Sequence, residues 1–118
     1  MLTVTSDRDR VILAFASRGR DLCMKPDVAR RVVESIRESV KECREWVEAG
    51  GRPHLVRGEP RGAFVRSWDG NVNVRFDAIT DREEIPYQAA ERLADEIEAK
   101  CVEAEARMTI LWTPAETL

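Results

Sequence analysis

Apolar positions along the chain recur with two periods, and the switches between them mark the elements. Residues 10–16, RVILAFA, are β-branched and aromatic and read as a strand. SRGR follows as a turn, DLCMK (21–25) reads as a second short strand, and residues 2–5 have the pattern of another. From Pro26 the period becomes helical: Val28, Val32, Ile36, Val40, Cys43 and Val47 recur at intervals of four and three. Pro26 suits a first helical position, where a missing N–H costs nothing. Gly50-Gly51 supplies the stop after Glu48 or Ala49. A helix of this length measures about 36 Å, more than a core of this size needs, so Trp46 and its neighbours are expected to pack on another subunit.

Residues 52–62, RPHLVRGEPRG, form a connector, with a short strand possible at 54–57. A hairpin follows. GAFVRSW and NVNVRFDAI flank Asp69-Gly70, a strong signal for a two-residue turn. The second helix is expected to start between Thr80 and Pro86. Thr80-Asp81-Arg82-Glu83 has the form of a capping box, whereas Pro86 pushes Ile85 out of helical geometry and favours a start at Pro86. Its stripe is Ala90, Leu93, Ile97, Cys101 and Ala104. The Glu- and Ala-rich sequence favours helix to about Ala104, and MTILWT is expected to form a last strand, stopped by Pro114.

Both halves thus follow one plan: two strands, a proline, a long helix. A single constant offset in the numbering aligns Arg31 with Arg92, Val32 with Leu93 and Ile36 with Ile97. The expected architecture is a single α+β domain over residues 1–118, an antiparallel sheet packed against two long helices, with a possible ββα repeat.

One surface departs from what a solvated sheet needs. With Asp69-Gly70 as loop residues, Trp68 faces Asn71, Arg66 faces Asn73 and Phe64 faces Arg75. Side chains alternate between faces, so Ala63, Val65, Ser67, Val72, Val74 and Phe76 form a core face. The other face collects Phe64, Arg66, Trp68, Asn71, Asn73, Arg75 and Asp77. Three readings compete for it: cross-strand stacking under solvent, a subunit interface, where Trp, Phe and Arg are enriched, or a ligand platform. In the last, aromatic rings stack on a base, arginine grips phosphate and asparagine reads polar edges.

Composition narrows the choice. Hydrophobic residues make up 43% of the 118 and charged residues 35%, with a net charge of −3. That near balance excludes a polyanion binder built on overall charge. Of the 19 basic residues only Lys25, Lys41 and Lys100 are lysine. The arginine excess fits a high-GC genome or recognition of phosphate and carboxylate. Charge is also split along the chain: residues 1–76 hold 15 basic and 11 acidic side chains, net +4, and residues 77–118 hold 4 and 11, net −7. The split is expected to reflect solvated helix faces, or attraction between neighbouring subunits.

The longest apolar run, Val11 to Ala16, cannot span a membrane. MLTVTSDRDR has no apolar signal core, so a cytoplasmic location is expected. Cys23, Cys43 and Cys101 are odd in number and far apart. This fits a reducing compartment and argues against both a disulfide framework and a zinc site; Cys43 and Cys101 fall on helix stripes as small core residues.

Catalysis finds few players. His54 is the one histidine, and it lies in the connector. Nucleophilic catalysis by Cys or Ser wants such a base in reach. The carboxylate runs of the second helix read as a solvated face, and no Gly-rich phosphate loop occurs. No enzymatic activity, cofactor or metal is expected. Arg52, Arg57, Arg61, Arg66 and Arg75, with Phe64 and Trp68, have the makings of a single-strand grip. The acidic C-terminal half and net negative charge make nucleic acid the less favoured partner.

The order β-β-α-β-β-α on a small chain, with a Phe/Asn/Arg strand face and the helix-borne Arg92, resembles phage proteins that block the Thoeris defence by sequestering its cyclic ADP-ribose-type signal. The resemblance covers the order of elements over most of the chain. It implies a homo-oligomer in the host cytoplasm, ligand sites at subunit contacts near Phe64, Asn73 and Arg92, and no catalysis. The function expected is therefore non-enzymatic binding of a small phosphorylated or nucleotide-type molecule. The candidate site residues are Phe64, Arg66, Trp68, Asn73, Arg75 and Arg92. The alternative is a protein–protein module using the same hairpin face.

Overall fold

The computed structural model describes residues 2–7, 10–15, 21–52, 63–68, 70–76 and 82–112. Among these the elements follow in the order β1 (Leu2–Asp7), β2 (Arg10–Phe15), β3 (Asp21–Met24), α1 (Pro26–Glu48), β4 (Ala63–Trp68), β5 (Asn71–Phe76), β6 (Arg82–Pro86) and α2 (Tyr87–Trp112). The α+β class holds, with two helices packed against antiparallel strands. The strands form two three-stranded sheets rather than the expected single sheet, ordered β1-β2-β6 and β3-β5-β4. The expected strand at 54–57 and the turn at 17–20 lie outside the described residues.

Strand pairing ties the halves together. β1 and β2 form one hairpin and β4 and β5 the other, but the third strand of each sheet comes from the opposite half: β3 pairs with β5, and β6 with β2. The offset that aligns Arg31 with Arg92 runs through all of it. It carries the pair Leu2↔Phe15 onto Ala63↔Phe76, and Val11↔Ile85 onto Val72↔Met24. It also carries the starts of β1, β2, β3 and α1 onto those of β4, β5, β6 and α2. Three strands precede each helix, so the expected ββα unit is not what the elements build.

The core follows the same relation. Val11 and Val72, Leu13 and Val74, Ala29 and Ala90, Val33 and Ala94, and Ile36 and Ile97 are matched in this way, and all are buried in one continuous cluster. In α1 the buried seam is Ala29, Val33, Ile36, Val40 and Cys43; in α2 it includes Ala90, Ala94, Ile97, Cys101 and Ala104. Each seam steps by four and three residues, the spacing of antiparallel helices packed side against side. This turns α1 relative to the expected stripe: Val28 is 41% exposed and Ala29 takes its place, because a small residue there lets α2 approach.

The far end of α1 is closed by the expected Gly50-Gly51 stop. Gly50, at φ 95°, sends its N–H to the Val47 carbonyl, and the Gly51 N–H reaches the Trp46 carbonyl. This is the paired bonding of a Schellman stop. A Cβ on Gly51 would stand 2.4 Å from Trp46 ring atoms, so the indole lies over the stop of its own helix.

In the second half, β6 replaces the expected capping box. Residues 82–86 are strand because β2 offers them a pairing edge, and the helix starts after Pro86. Nothing equivalent to Gly50-Gly51 then interrupts α2. It runs through the expected strand MTILW to Trp112, since each further residue adds a backbone hydrogen bond to a helix already formed.

A charge ladder borders the helix seam. Arg30 Nε and Nη2 donate to Glu105 at 2.7 and 3.0 Å. Arg37 Nη2 donates to Asp95 at 3.2 Å and to Glu98, and Arg44 Nη2 donates to Glu91 at 2.9 Å. Arg44 also lies over the Tyr87 ring, 5.9 Å from its centre. The rungs recur at heptad spacing on both helices. Arg30, Arg37 and Arg44 are, by the offset, the counterparts of Glu91, Glu98 and Glu105. The charge split along the chain is thus used within it, arginines of one half against carboxylates of the other.

The packing can be tested at its centre and along its border. Ile36 and Ile97 are each 1% exposed and occupy equivalent places. Changing either to Ala is expected to cost about 2–5 kcal/mol, with similar losses for both, measured by urea denaturation. The border responds to acid. The bond from Arg37 holds the Glu98 carboxyl below its ordinary range, and the bond from Arg30 does the same for Glu105. A carboxylate depressed in the folded state stabilises it fully above the ordinary glutamate value, near pH 4.3, and loses that effect as pH falls through the depressed one. The melting temperature should therefore drop on acidification below about pH 4.3, and the double variant E98Q/E105Q should show a smaller drop.

Candidate functional site

The hairpin that carries the candidate residues is positioned by its turn and by β3. Gly70 takes φ 78°, a left-handed value open to glycine at little cost. The register is the expected one: Phe64↔Arg75, Arg66↔Asn73 and Trp68↔Asn71. Val72 and Val74 are buried on the helix side of β5. Arg66 and Arg75 are exposed on the side facing away from α1 and α2, and Phe64, Trp68 and Asn73 hold alternate positions in the same register.

β3 widens this face in a way the sequence alone did not indicate. Cys23 pairs with Asn73 and Asp21 with Arg75. The rows across the sheet are thus Asp21–Arg75–Phe64 and Cys23–Asn73–Arg66. Cys23 is exposed, as are Arg66 and Arg75. The two arginines stand at diagonal positions on adjacent strands, about 7–8 Å apart at the backbone, within reach of one anionic group for side chains of their length. The pairing of β3 with β5 is non-local, and no pattern within 21–25 announces it.

Arg92 does not join this face within one chain. It lies exposed on α2, on the helix side of the β3-β5-β4 sheet, and its counterpart Arg31 is exposed on α1. His54 and Asp77 lie outside the described residues. Cys43 and Cys101 are buried as expected. Burial pushes the Cys101 thiol up, away from the reactive thiolate, and its Sγ lies 3.8 Å from the Pro26 carbonyl oxygen.

Among the described residues, no helix is long and apolar enough to cross a membrane, and no group of three or more His, Cys, Asp or Glu side chains is placed to hold a metal ion. Comparison with protein-family models, curated proteins and solved structures finds no match to this chain.

Proposed function

We propose that the protein is a non-enzymatic binding protein whose outer β3-β5-β4 face takes a small phosphorylated molecule of nucleotide type. What supports this reading is the contrast between the two halves. The offset between them matches Phe64 with Thr3, Arg66 with Thr5, Asn73 with Ile12 and Arg75 with Ala14. The scaffold thus builds the same strands and the same register with small residues at three of these places. Nothing in the fold demands an aromatic or an arginine there, so their presence in one half calls for a different cause.

The chemistry of the face fits an anion joined to a planar ring. Paired guanidinium groups hold phosphate through parallel hydrogen bonds, and aromatic rings offer a stacking surface. The resemblance to phage proteins that sequester a nucleotide-type signal points the same way. Self-association belongs to the proposal. β4 is an edge strand, the position from which sheets extend between chains, and a partner copy would be needed to bring an arginine such as Arg92 to the face.

The test replaces each residue by its counterpart from the other half. Phe64→Thr, Arg66→Thr and Arg75→Ala are expected to leave the melting temperature nearly unchanged. Each should weaken binding of ADP-ribose, or of its cyclic isomer, by about 1–3 kcal/mol in calorimetry. Val74→Ala should do the reverse, costing about 0.5–3 kcal/mol of stability with little effect on the ligand. Native mass spectrometry reads subunit number and any retained ligand together. A protein that binds neither nucleotide, retains no small molecule and instead holds a second protein through this face overturns the reading.

A further inference from the structure

A cleft of ≈ 380 Å³ opens between β1 and α1, on the half of the protein that lacks the aromatic face. Its lining includes Thr5, Ser6, Ser35, Glu38, Ser39 and Glu42. Every polar side chain in that set except the two carboxylates is a hydroxyl, and no basic side chain lines it. Ser6 Oγ donates to Glu42 Oε2. Ser39 is 6% exposed, and its hydroxyl has no hydrogen-bond partner among the described residues. A buried hydroxyl without a partner costs stability unless something else satisfies it.

The other half carries a lysine at the equivalent helix position. By the offset, Glu42 corresponds to Glu103, Ser6 to Ser67 and Ser39 to Lys100. The Lys100 ammonium donates to both oxygens of Glu103, at 3.1 and 3.2 Å. Where the second half supplies its own ammonium group, the first half has a serine, an open cleft and the same glutamate. Glu38 adds a second carboxylate one helical turn from Glu42; its counterpart is Ala99. Carboxylates four residues apart on a helix are about 5–6 Å apart at Cβ, a separation that a short alkyl diamine spans.

We propose that this cleft is a binding site for a small aliphatic primary amine, a short diamine being the best fit. One ammonium group takes the position that Lys100 holds in the second half, donating to Glu42 and to the Ser39 hydroxyl. The other reaches Glu38. The volume lies within the range of small-molecule sites, about 300–1,000 Å³. The site is on the opposite half from the face proposed for phosphorylated ligands, so neither proposal depends on the other.

The probe is 1,4-diaminobutane, titrated into the intact ¹⁵N-labelled protein and followed by two-dimensional NMR. The expected result is saturable shifts at amides of residues 4–6 and 35–42, with none from 1,4-butanediol, which has the same chain without the charges. Ser39→Lys places a built-in ammonium in the cleft and should abolish the shifts. Glu42→Gln keeps the volume, removes the charge and should weaken binding about tenfold or more; it decides the matter if Ser39→Lys fails to fold. The proposal is overturned if the diamine gives no saturable shifts, if butanediol matches it, or if a folded Ser39→Lys or Glu42→Gln variant binds as the parent does.

Discussion

The pairing of β3 with β5 and of β6 with β2 is the constraint on which the remaining structure depends. A hairpin alone is marginal in water, and a third strand with an apolar face is what makes a small sheet stable. Here neither half supplies its own third strand. Each hairpin is completed by the strand that leads into the opposite half's helix, so neither sheet closes until both halves are present. Because β3 ends at Met24 and α1 begins at Pro26, the exchange also fixes where each helix starts. Both helices are then committed to lie across the junction, and the seam between them becomes the common core of Ile36, Ile97 and their neighbours.

An arrangement with two-fold character raises a problem of identity. If the two helices carried the same side chains along the seam border, each rung would set like charges against each other. The central rung is the clearest case, since positions 37 and 98 are counterparts by the offset and also face one another. Arg37 opposite Glu98 removes the conflict, and Arg30–Glu105 and Arg44–Glu91 extend the solution to either side. These groups are each close to half exposed, so their direct stabilisation is small. Their effect is to make pairing between unlike halves better than pairing between like ones, the role that border charges play in selecting coiled-coil partners. The uneven charge along the sequence is the trace of that selection.

What could be read from the sequence is what local chemistry decides. Pro26 and Gly50-Gly51 bound α1 closely at both ends, Asp69-Gly70 set the β4-β5 register, and the offset between the halves is visible in helix residues alone. What escaped was decided at a distance. Residues 82–86 are charged and follow a plausible helix cap, yet they are strand because β2 lies open to them. MTILW has strand character, yet it extends α2, a helix already formed that no glycine stops. The closeness of Trp46 to Gly51 likewise shows only in three dimensions. The candidate face was legible as far as the hairpin register carried it; Cys23 and Asp21 were not, since they arrive with a strand from elsewhere.

A chain whose halves share a scaffold carries its own control. Buried core positions are filled alike on both sides at Val11 and Val72, Ala29 and Ala90, and Ile36 and Ile97. Within the core the differences are exchanges of one apolar residue for another, as Leu13 for Val74 and Val33 for Ala94. Three sets of differences stand out. One is the charge ladder, which the pairing of the halves accounts for. The second is the outer sheet face, Thr3, Thr5 and Ala14 against Phe64, Arg66 and Arg75. The third is the cleft, Ser39 and Glu38 against Lys100 and Ala99. The last two lie on different sheets and have opposite charge character, arginine on one and carboxylate on the other. The shared scaffold demands neither set, and the two ligand proposals rest on that contrast.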